Sequence, residues 1–190
     1  MKNAILLVSV FFLNQIGFTA DPPMTKMPQE VMQKMTPGEA HKALNHVVGK
    51  FNYTMKWWMT SDAKAEDSKG TSVSKWIMNG RFVQQDVKAK MNGQEFQGLG
   101  ITGYDNVKQE YQSVWLDNMA TGMMMATGTK DEQGTLATSG TFGCPMTGEK
   151  DKWFRTELKV ISKNEHTYAM YGRTQEGKEF KNMEIHYKRK

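Results

Sequence analysis

The stretch EFQGLGITGYDN, residues 95–106, decides the fold class, because Gly98, Gly100 and Gly103 form a G-x-G-x-x-G pattern. In a dinucleotide-binding protein this pattern follows a strand and opens a helix, whose first N–H groups hold the pyrophosphate. Here the residues that follow Gly103 are YDNVKQEYQSVW, which are typical of a turn and then a strand. The glycines therefore lie inside a hairpin series, and the nucleotide-binding interpretation is rejected.

Outward from this stretch the chain alternates apolar and polar residues with the period of a β-strand. The first such segment is FNYTMKWWMT, residues 51–60, and further ones lie at about 69–78, 81–91, 94–103, 108–117, 121–129, 134–142, 150–161, 165–173 and 178–188. The dipeptides at 79–80, 92–93, 105–106 and 176–177 are typical hairpin turns. About ten antiparallel strands joined by short loops predict an up-and-down β-barrel, which leaves no exposed sheet edge.

Hairpin registers predict which residues face the barrel interior. With two-residue turns at 79–80 and 92–93, one surface collects Ser74, Trp76, Met78, Val83, Val87, Ala89, Met91, Phe96, Gly98, Gly100 and Thr102. Continuing through a two-residue turn at 105–106 places Tyr111 opposite Gly100 and Trp115 opposite Phe96. Gly98 and Gly100 then face inward and leave room for aromatic rings of the next strand.

The segment before the first strand predicts three successive regions. Residues 1–20 have the charged start, short apolar run and small final residue of a secretory signal peptide, so we expect an exported protein, periplasmic or secreted, with no membrane span in its mature form. Residues 21–35 form a Met- and Pro-rich leader. Residues 36–190 form one domain, with a helix at 37–48 and the barrel at 50–188; Thr36 and Glu39 match a capping box that opens the helix.

Composition excludes several functional classes. The formal net charge is +5, but acidic and basic residues are interspersed, so nucleic-acid binding is not expected. The single cysteine, Cys144, permits no internal disulfide, and His41, His46, His166 and His186 show no metal-ligand spacing. Sixteen methionines are interpreted as adaptable core residues, with copper(I) binding as the alternative. The sequence shows no spacing of acidic, histidine, serine or cysteine residues that is typical of a catalytic site, so we predict no catalytic residues, no metal and no cofactor.

Four segments carry a resemblance to a known family. MNGRFVQQ, GQEFQGLGITGYDNVKQEYQSVWLDNM, MTGEKDKWFRTEL and GKEFKNMEIHYKR resemble the bacterial family called domain of unknown function 1579, over about residues 49–189. That family is similar to calycin-type, lipocalin-like β-barrels. The resemblance supports a mainly β fold with one short helix before the barrel, and it implies no catalytic residue.

These patterns predict a binding module for a small hydrophobic or amphiphilic ligand inside the barrel. The candidate ligand-binding residues share the predicted inward surface: Arg81, Gln85, Trp76, Tyr111, Trp115, Gly98 and Gly100. A guanidinium inside a barrel needs a partner, so Arg81 is the expected anchor for an acidic head group, unless it reaches solvent or a nearby acid at the rim.

Two other functions remain open at the level of sequence: a barrel enzyme acting on such a ligand, and an envelope protein with a filled barrel. Haem held by His166 is a further alternative. A two-residue turn at 176–177 places His166 on one face with Tyr168, Met170, Met183, Ile185 and Tyr187. The preceding turn at 162–165, counted as two residues, gives the opposite face, so one of the two loops must be bulged or longer. The sequence does not indicate an oligomeric state.

Overall fold

In a computed structural model, which describes residues 27–91 and 93–190, the chain forms a closed antiparallel barrel of ten strands. The predicted signal peptide and the first six residues of the leader, 21–26, lie outside the described residues. The strands are β1 (Gly49–Trp57), β2 (Glu66–Ile77), β3 (Phe82–Met91), β4 (Gln94–Asp105), β5 (Glu110–Asp117), β6 (Met124–Lys130), β7 (Leu136–Phe142), β8 (Lys152–Ser162), β9 (Glu165–Arg173) and β10 (Glu179–Arg189). Each strand pairs with its neighbours in sequence, and β1 pairs with β10 to close the barrel. The predicted mainly β, ten-stranded barrel is confirmed.

The first two hairpins have the predicted register. Ile77 pairs with Phe82, and Met91 pairs with Gln94, so the predicted inward surface of β2, β3 and β4 is the interior surface. Val83 and Val87, which both lie on this face of β3, are buried.

The third hairpin differs from the prediction. Asp105 pairs with Glu110, so the connection is four residues long and Trp115 lies opposite Gly100. Tyr111, predicted opposite Gly100, pairs with Tyr104 instead. The cause is local, because the Asp105 carboxylate accepts the backbone N–H groups of the second and third residues after it at 2.8 and 3.1 Å and winds the chain into a longer turn. The register moves by an even number of residues, so the faces predicted for β5 are still correct.

Two bulges set the faces of the last three strands. The β8–β9 register shifts between Val160 and Ser162, and the β9–β10 register shifts between Lys181 and Met183. The expectation that one of the last two loops is bulged or longer is therefore confirmed. His166 pairs with Tyr187, as the sequence predicts. The connection after β9 is longer than the expected two residues, since Arg173 pairs with Glu179, and the bulge beside Lys181 restores the register.

A helical segment covers one end of the barrel. It consists of α1 (Gln29–Met35), α2 (Glu39–Lys42) and a 3₁₀ helix at Ala43–Val47. The predicted helix at 37–48 is thus present as α2 and the 3₁₀ helix, and α1 is an addition from the leader. Leu44 is buried and packs with Val83, Tyr111 and Leu136 inside the barrel end. We call residues 28–48 the cap.

The predicted capping box of Thr36 and Glu39 is wrong. Thr36 ends α1, where its hydroxyl donates to the carbonyl of Met32 at 2.7 Å, so it is not free to begin the next helix. Gly38 precedes α2, and its N–H donates to Nδ1 of His41 at 3.1 Å.

Barrel side chains hold the cap mainly by its backbone carbonyls. Nδ2 of Asn106 lies 2.9 to 3.3 Å from the carbonyl oxygens of residues 33, 34 and 36, and the hydroxyl of Tyr111 donates to Ala40 at 2.9 Å. Arg189, on the last strand, donates to the carbonyls of Val48 and His46 at 2.8 and 3.2 Å. The cap is therefore fastened from the β4–β5 loop, β5 and β10 at once.

Candidate functional site

The barrel interior, which we call the lumen, has one wall of small residues and one of large residues. Strands β4 to β7 direct small residues inward: Gly98, Gly100, Thr102, Ser113, Ala126, Thr138 and Gly140. Strands β8 to β10 and β1 direct larger ones inward: Phe154, Tyr168, Met170, Met183, Ile185, Tyr187 and Tyr53. Strands β4 to β7 also direct large residues inward, but apart from Trp115 these lie towards the strand ends: Phe96, Tyr104, Tyr111, Met124, Leu136 and Phe142. The contrast between the walls therefore holds at mid-barrel, where it leaves space between them.

Accessibility inside the barrel indicates that the lumen is not filled. Tyr168 lies so deep in the protein that burial raises the pKa of its hydroxyl to about 12. It nevertheless retains intermediate accessible surface, as do other inward-facing residues at mid-barrel: Gln85, Thr102, Ser113, Trp115, Met170 and Met183. Surface that is enclosed by protein yet uncovered borders an internal space.

Trp115 lies flat on the small-residue wall. A Cβ atom added to Gly98 would lie 2.3 Å from the Trp115 ring, so only glycine leaves the ring its place. The indole N–H donates to the Asp117 carboxylate at 2.8 Å, and the ring stacks on Phe96 with centroids 6.5 Å apart. The idea that the glycines make room for an aromatic ring is confirmed, although the ring opposite Gly100 belongs to Trp115.

Polar groups meet the lumen from both walls. Burial raises the pKa of the Tyr187 hydroxyl, and the nearby Gln85 amide lowers it in part. Thr156 acts in the same way on the Tyr168 hydroxyl, and the Thr156 hydroxyl lies 2.7 Å from that of Thr138. All these groups are neutral.

Charged residues reach the lumen only at its two ends. Within residues 27–91 and 93–190, the charged residues at inward-facing strand positions are the terminal residues of their strands: Glu66, Asp117, Lys130, Lys152 and Arg189. Asp117 accepts the indole N–H of Trp115 and the backbone N–H of Met119, and Arg189 holds the cap. The middle of the lumen is uncharged.

Three of the predicted ligand-binding residues contact the cap. Arg81 donates to the carbonyls of Met35 at 2.8 Å and Met78 at 3.4 Å, beside a rim hollow of about 160 Å³. The indole of Trp76 donates to Asn45 at 2.9 Å, and Tyr111 is bonded to the cap as described. Of the predicted set, Gln85, Trp115, Gly98 and Gly100 come together in the lumen.

His166 faces inward near the capped end and is only 3% exposed. Its ring stacks on Tyr187 with centroids 4.5 Å apart and meets the edge of Phe51 at 4.8 Å. Burial, with smaller contributions from Arg189 and His46, lowers the pKa of His166 to about 4. A porphyrin at this imidazole would have to displace Phe51 or Tyr187.

Sequence reasoning did not select Tyr168 and Tyr187 as ligand-binding residues. Both alternate with His166 and Ile185 on the predicted face of the last hairpin, so the signal was present. Their approach to Gln85 depends on how the barrel closes, which no hairpin register gives.

Methionines at the end opposite the cap depart from the interpretation as core residues. Met55 is buried, but several methionines in or beside the loops of that end are more than half exposed: Met59, Met119, Met123, Met125 and Met146. The described part of the chain holds no group of three or more His, Cys, Asp or Glu side chains arranged for a metal ion. No helix among the described residues has the length and apolar character needed to cross a membrane.

Comparison with known proteins identifies the family. The model of the family described as "Protein of unknown function (DUF1579)" matches residues 36–189. The chain belongs to this family. The four segments that carry the resemblance all lie within the matched DUF1579 region. Among curated proteins, none matches the chain.

Two solved structures are similar to this DUF1579 protein. Rv2717c from M. tuberculosis is 15% identical, with a TM-score of 0.61 over 82% of this chain and 99% of that chain. A redesigned beta barrel is 14% identical, with a TM-score of 0.40 over 78% of this chain and 95% of its own. At this identity the likeness to Rv2717c concerns the fold alone.

Proposed function

We propose that this protein is a non-enzymatic binding module that holds a small hydrophobic or amphiphilic ligand in the lumen, within a barrel of the calycin type. The main support is the contrast between the two walls, since glycine, serine, threonine and alanine on β4 to β7 face aromatic and methionine side chains on β8 to β10. Ligand sites are typically apolar cavities with a few placed polar groups, and this lumen has that composition.

We favour binding over catalysis because of the pKa values of the polar groups in the lumen. Catalytic acids and bases have pKa values near the working pH. Burial instead raises the pKa of Tyr168 and Tyr187 and lowers that of His166, away from neutrality in each case. Groups fixed in their neutral state suit recognition.

We further propose that the protein is exported and works in the periplasm or outside the cell. The support is the charged start and apolar run of residues 1–20, which lie outside the described residues. N-terminal sequencing of the mature protein should find a start close to residue 21. A mature protein that keeps Met1 in the cytoplasmic fraction would contradict export.

The binding proposal is tested by filling the lumen without removing a polar contact. Ser113 faces inward on the small-residue wall, opposite Ala126, whereas the next residue, Val114, faces outward. We expect Ser113→Phe to abolish the quenching of tryptophan fluorescence by apolar ligands and Val114→Phe to preserve it. Native mass spectrometry of gently purified protein should show a co-purifying small molecule in wild type and not in Ser113→Phe. Equal quenching in both variants, or none in wild type, would contradict a binding lumen.

A further inference from the structure

We propose that the lumen selects ligands whose polar group is an uncharged hydrogen-bond acceptor, such as a ketone, aldehyde or ester oxygen, and that Gln85 and Tyr187 donate to it. This inference rests on the proposed function and adds the chemical class of the ligand. It is carried by the hydrogen-bond donors of Gln85 and Tyr187, which face the lumen, and by the absence of charged residues at mid-barrel among the described residues.

The pair of Gln85 and Tyr187 has more donors than it can use internally. The amide carries two N–H donors and the phenol one O–H donor. Both side chains face inward, Gln85 opposite Gly100 on β4 and Tyr187 opposite Tyr53 on β1. A hydrogen bond between them would occupy one of the three donors, so two would remain for a group in the lumen, and a buried donor without a partner is costly.

Tyr168 adds a second source of donors on the same wall. Thr138 and Thr156 share one hydrogen bond at 2.7 Å, which uses one of their two hydroxyl protons. The Tyr168 hydroxyl lies near Thr156, and its own proton can be donated to a group in the lumen.

Charge excludes the ionised alternatives. A carboxylate at mid-lumen would have no cation near it, because Arg81 is bonded to the carbonyl of Met35 and Arg189 to the cap. A buried unpaired charge is far more costly than a buried neutral dipole. An ammonium group would likewise find no carboxylate at mid-lumen, because the inward-facing acidic residues of the described strands, Glu66 and Asp117, lie at strand ends. A neutral hydrogen-bond acceptor is therefore the polar group that pairs with the donors in the lumen without bringing in a charge.

The apolar part of such a ligand has its own surface. Trp115 and Phe96 stack on the small-residue wall, and the flexible side chains of Met170 and Met183 pair across from them on β9 and β10. Thioether chains adapt to irregular apolar shapes. The lumen can therefore hold a hydrocarbon body while its single polar oxygen reaches the donors.

The test compares three ligands of equal chain length at pH 8: a medium-chain methyl ketone, the fatty acid and the primary amine. Titration of wild-type tryptophan fluorescence should give an affinity for the ketone roughly tenfold or more above that for either ion. The affinity for the fatty acid should rise as pH falls and the acid becomes neutral, whereas the affinity for the ketone should stay constant.

Substitutions then identify the donors. Tyr187→Phe and Gln85→Leu should each lower the affinity for the ketone by roughly fivefold and leave the affinity of an alkane of similar length unchanged. Tyr171→Phe is the matched control, because Tyr171 faces outward on β9 and its hydroxyl lies 3.4 Å from a carboxylate oxygen of Glu157. Circular dichroism confirms that each variant is folded.

The outcomes separate the two levels of the proposal. Tight binding of the carboxylate at pH 8, or ketone binding that neither Tyr187→Phe nor Gln85→Leu weakens, would overturn the neutral-acceptor inference and leave a binding lumen. Failure of the ketone, the ions and the alkane alike to bind wild type would overturn the proposed function itself.

Discussion

Substitution of Gly98 by alanine tests the packing of Trp115 on the lumen wall. The added Cβ would lie 2.3 and 2.4 Å from two carbon atoms of the indole, whereas ordinary contacts begin near 3.4 Å. The ring must therefore retreat by about 1 Å. Since its N–H is bonded to Asp117 at 2.8 Å, this movement weakens the hydrogen bond as well as the stacking on Phe96.

The expected loss of stability is the sum of three contributions to the free energy of unfolding. Overpacking costs about 1–3 kcal/mol, and weakening a partly buried hydrogen bond to a carboxylate adds about 1 kcal/mol. Replacing a strand glycine by alanine returns roughly 0.5–1 kcal/mol. We expect Gly98→Ala to lower the free energy of unfolding by about 2 kcal/mol.

Gly100→Ala is the matched control on the same strand and face. A Cβ at Gly100 would lie 3.3 Å from the Trp115 ring, so a shift of a few tenths of an ångström accommodates it. We expect its stability to stay within about 0.5 kcal/mol of wild type. Urea unfolding followed by circular dichroism measures both variants, and near-ultraviolet circular dichroism reports the movement of the indole. Equal midpoints for the two variants would refute the steric reasoning.

Two further predictions concern the capped end. The pKa of His166 is lowered from 6.5 to about 4, so the unfolded chain binds a proton there that the folded chain does not; the free energy of unfolding should fall by about 3 kcal/mol as pH drops from about 6.5 to 4. His166→Gln should reduce this slope in acid-dependent urea titrations, and an equal reduction by the exposed His186→Gln would contradict it. Asn106→Ala should speed hydrogen exchange and proteolysis at residues 29–36, since the cap loses its amide donor. Asn118→Ala, which removes a comparable side-chain bond to the Glu95 carbonyl at the other end, should leave α1 protected.

The barrel could be predicted from sequence because its hairpins are short and its alternation is regular. The turns at 79–80 and 92–93 give the correct pairing of Ile77 with Phe82 and of Met91 with Gln94. The hairpin after β4 could not be counted in the same way. Its length depends on an Asp105 side chain that competes with the strand ladder for backbone N–H groups.

The site was harder to predict because it depends on contacts between elements far apart in sequence. The role assigned to Arg81 followed from its hairpin register, but its side chain bonds the end of α1, a helix that the sequence did not reveal. Tyr187 approaches Gln85 only because the barrel closes and brings β10 across from β3. Local sequence patterns show which face of the sheet a residue lies on, but they do not show which residue it meets across the lumen.

The seam between β1 and β10 has a consequence for the order of events in folding. Phe51 pairs with Arg189, so the first strand waits for the last one in the chain. Arg189 also bonds the carbonyls of His46 and Val48, so the fastening of the cap is completed only when that strand arrives. Long-range pairing of this kind slows folding and makes it cooperative. A growing chain therefore keeps two open sheet edges until β10 emerges, and that delay is the interval in which it depends on protection from aggregation.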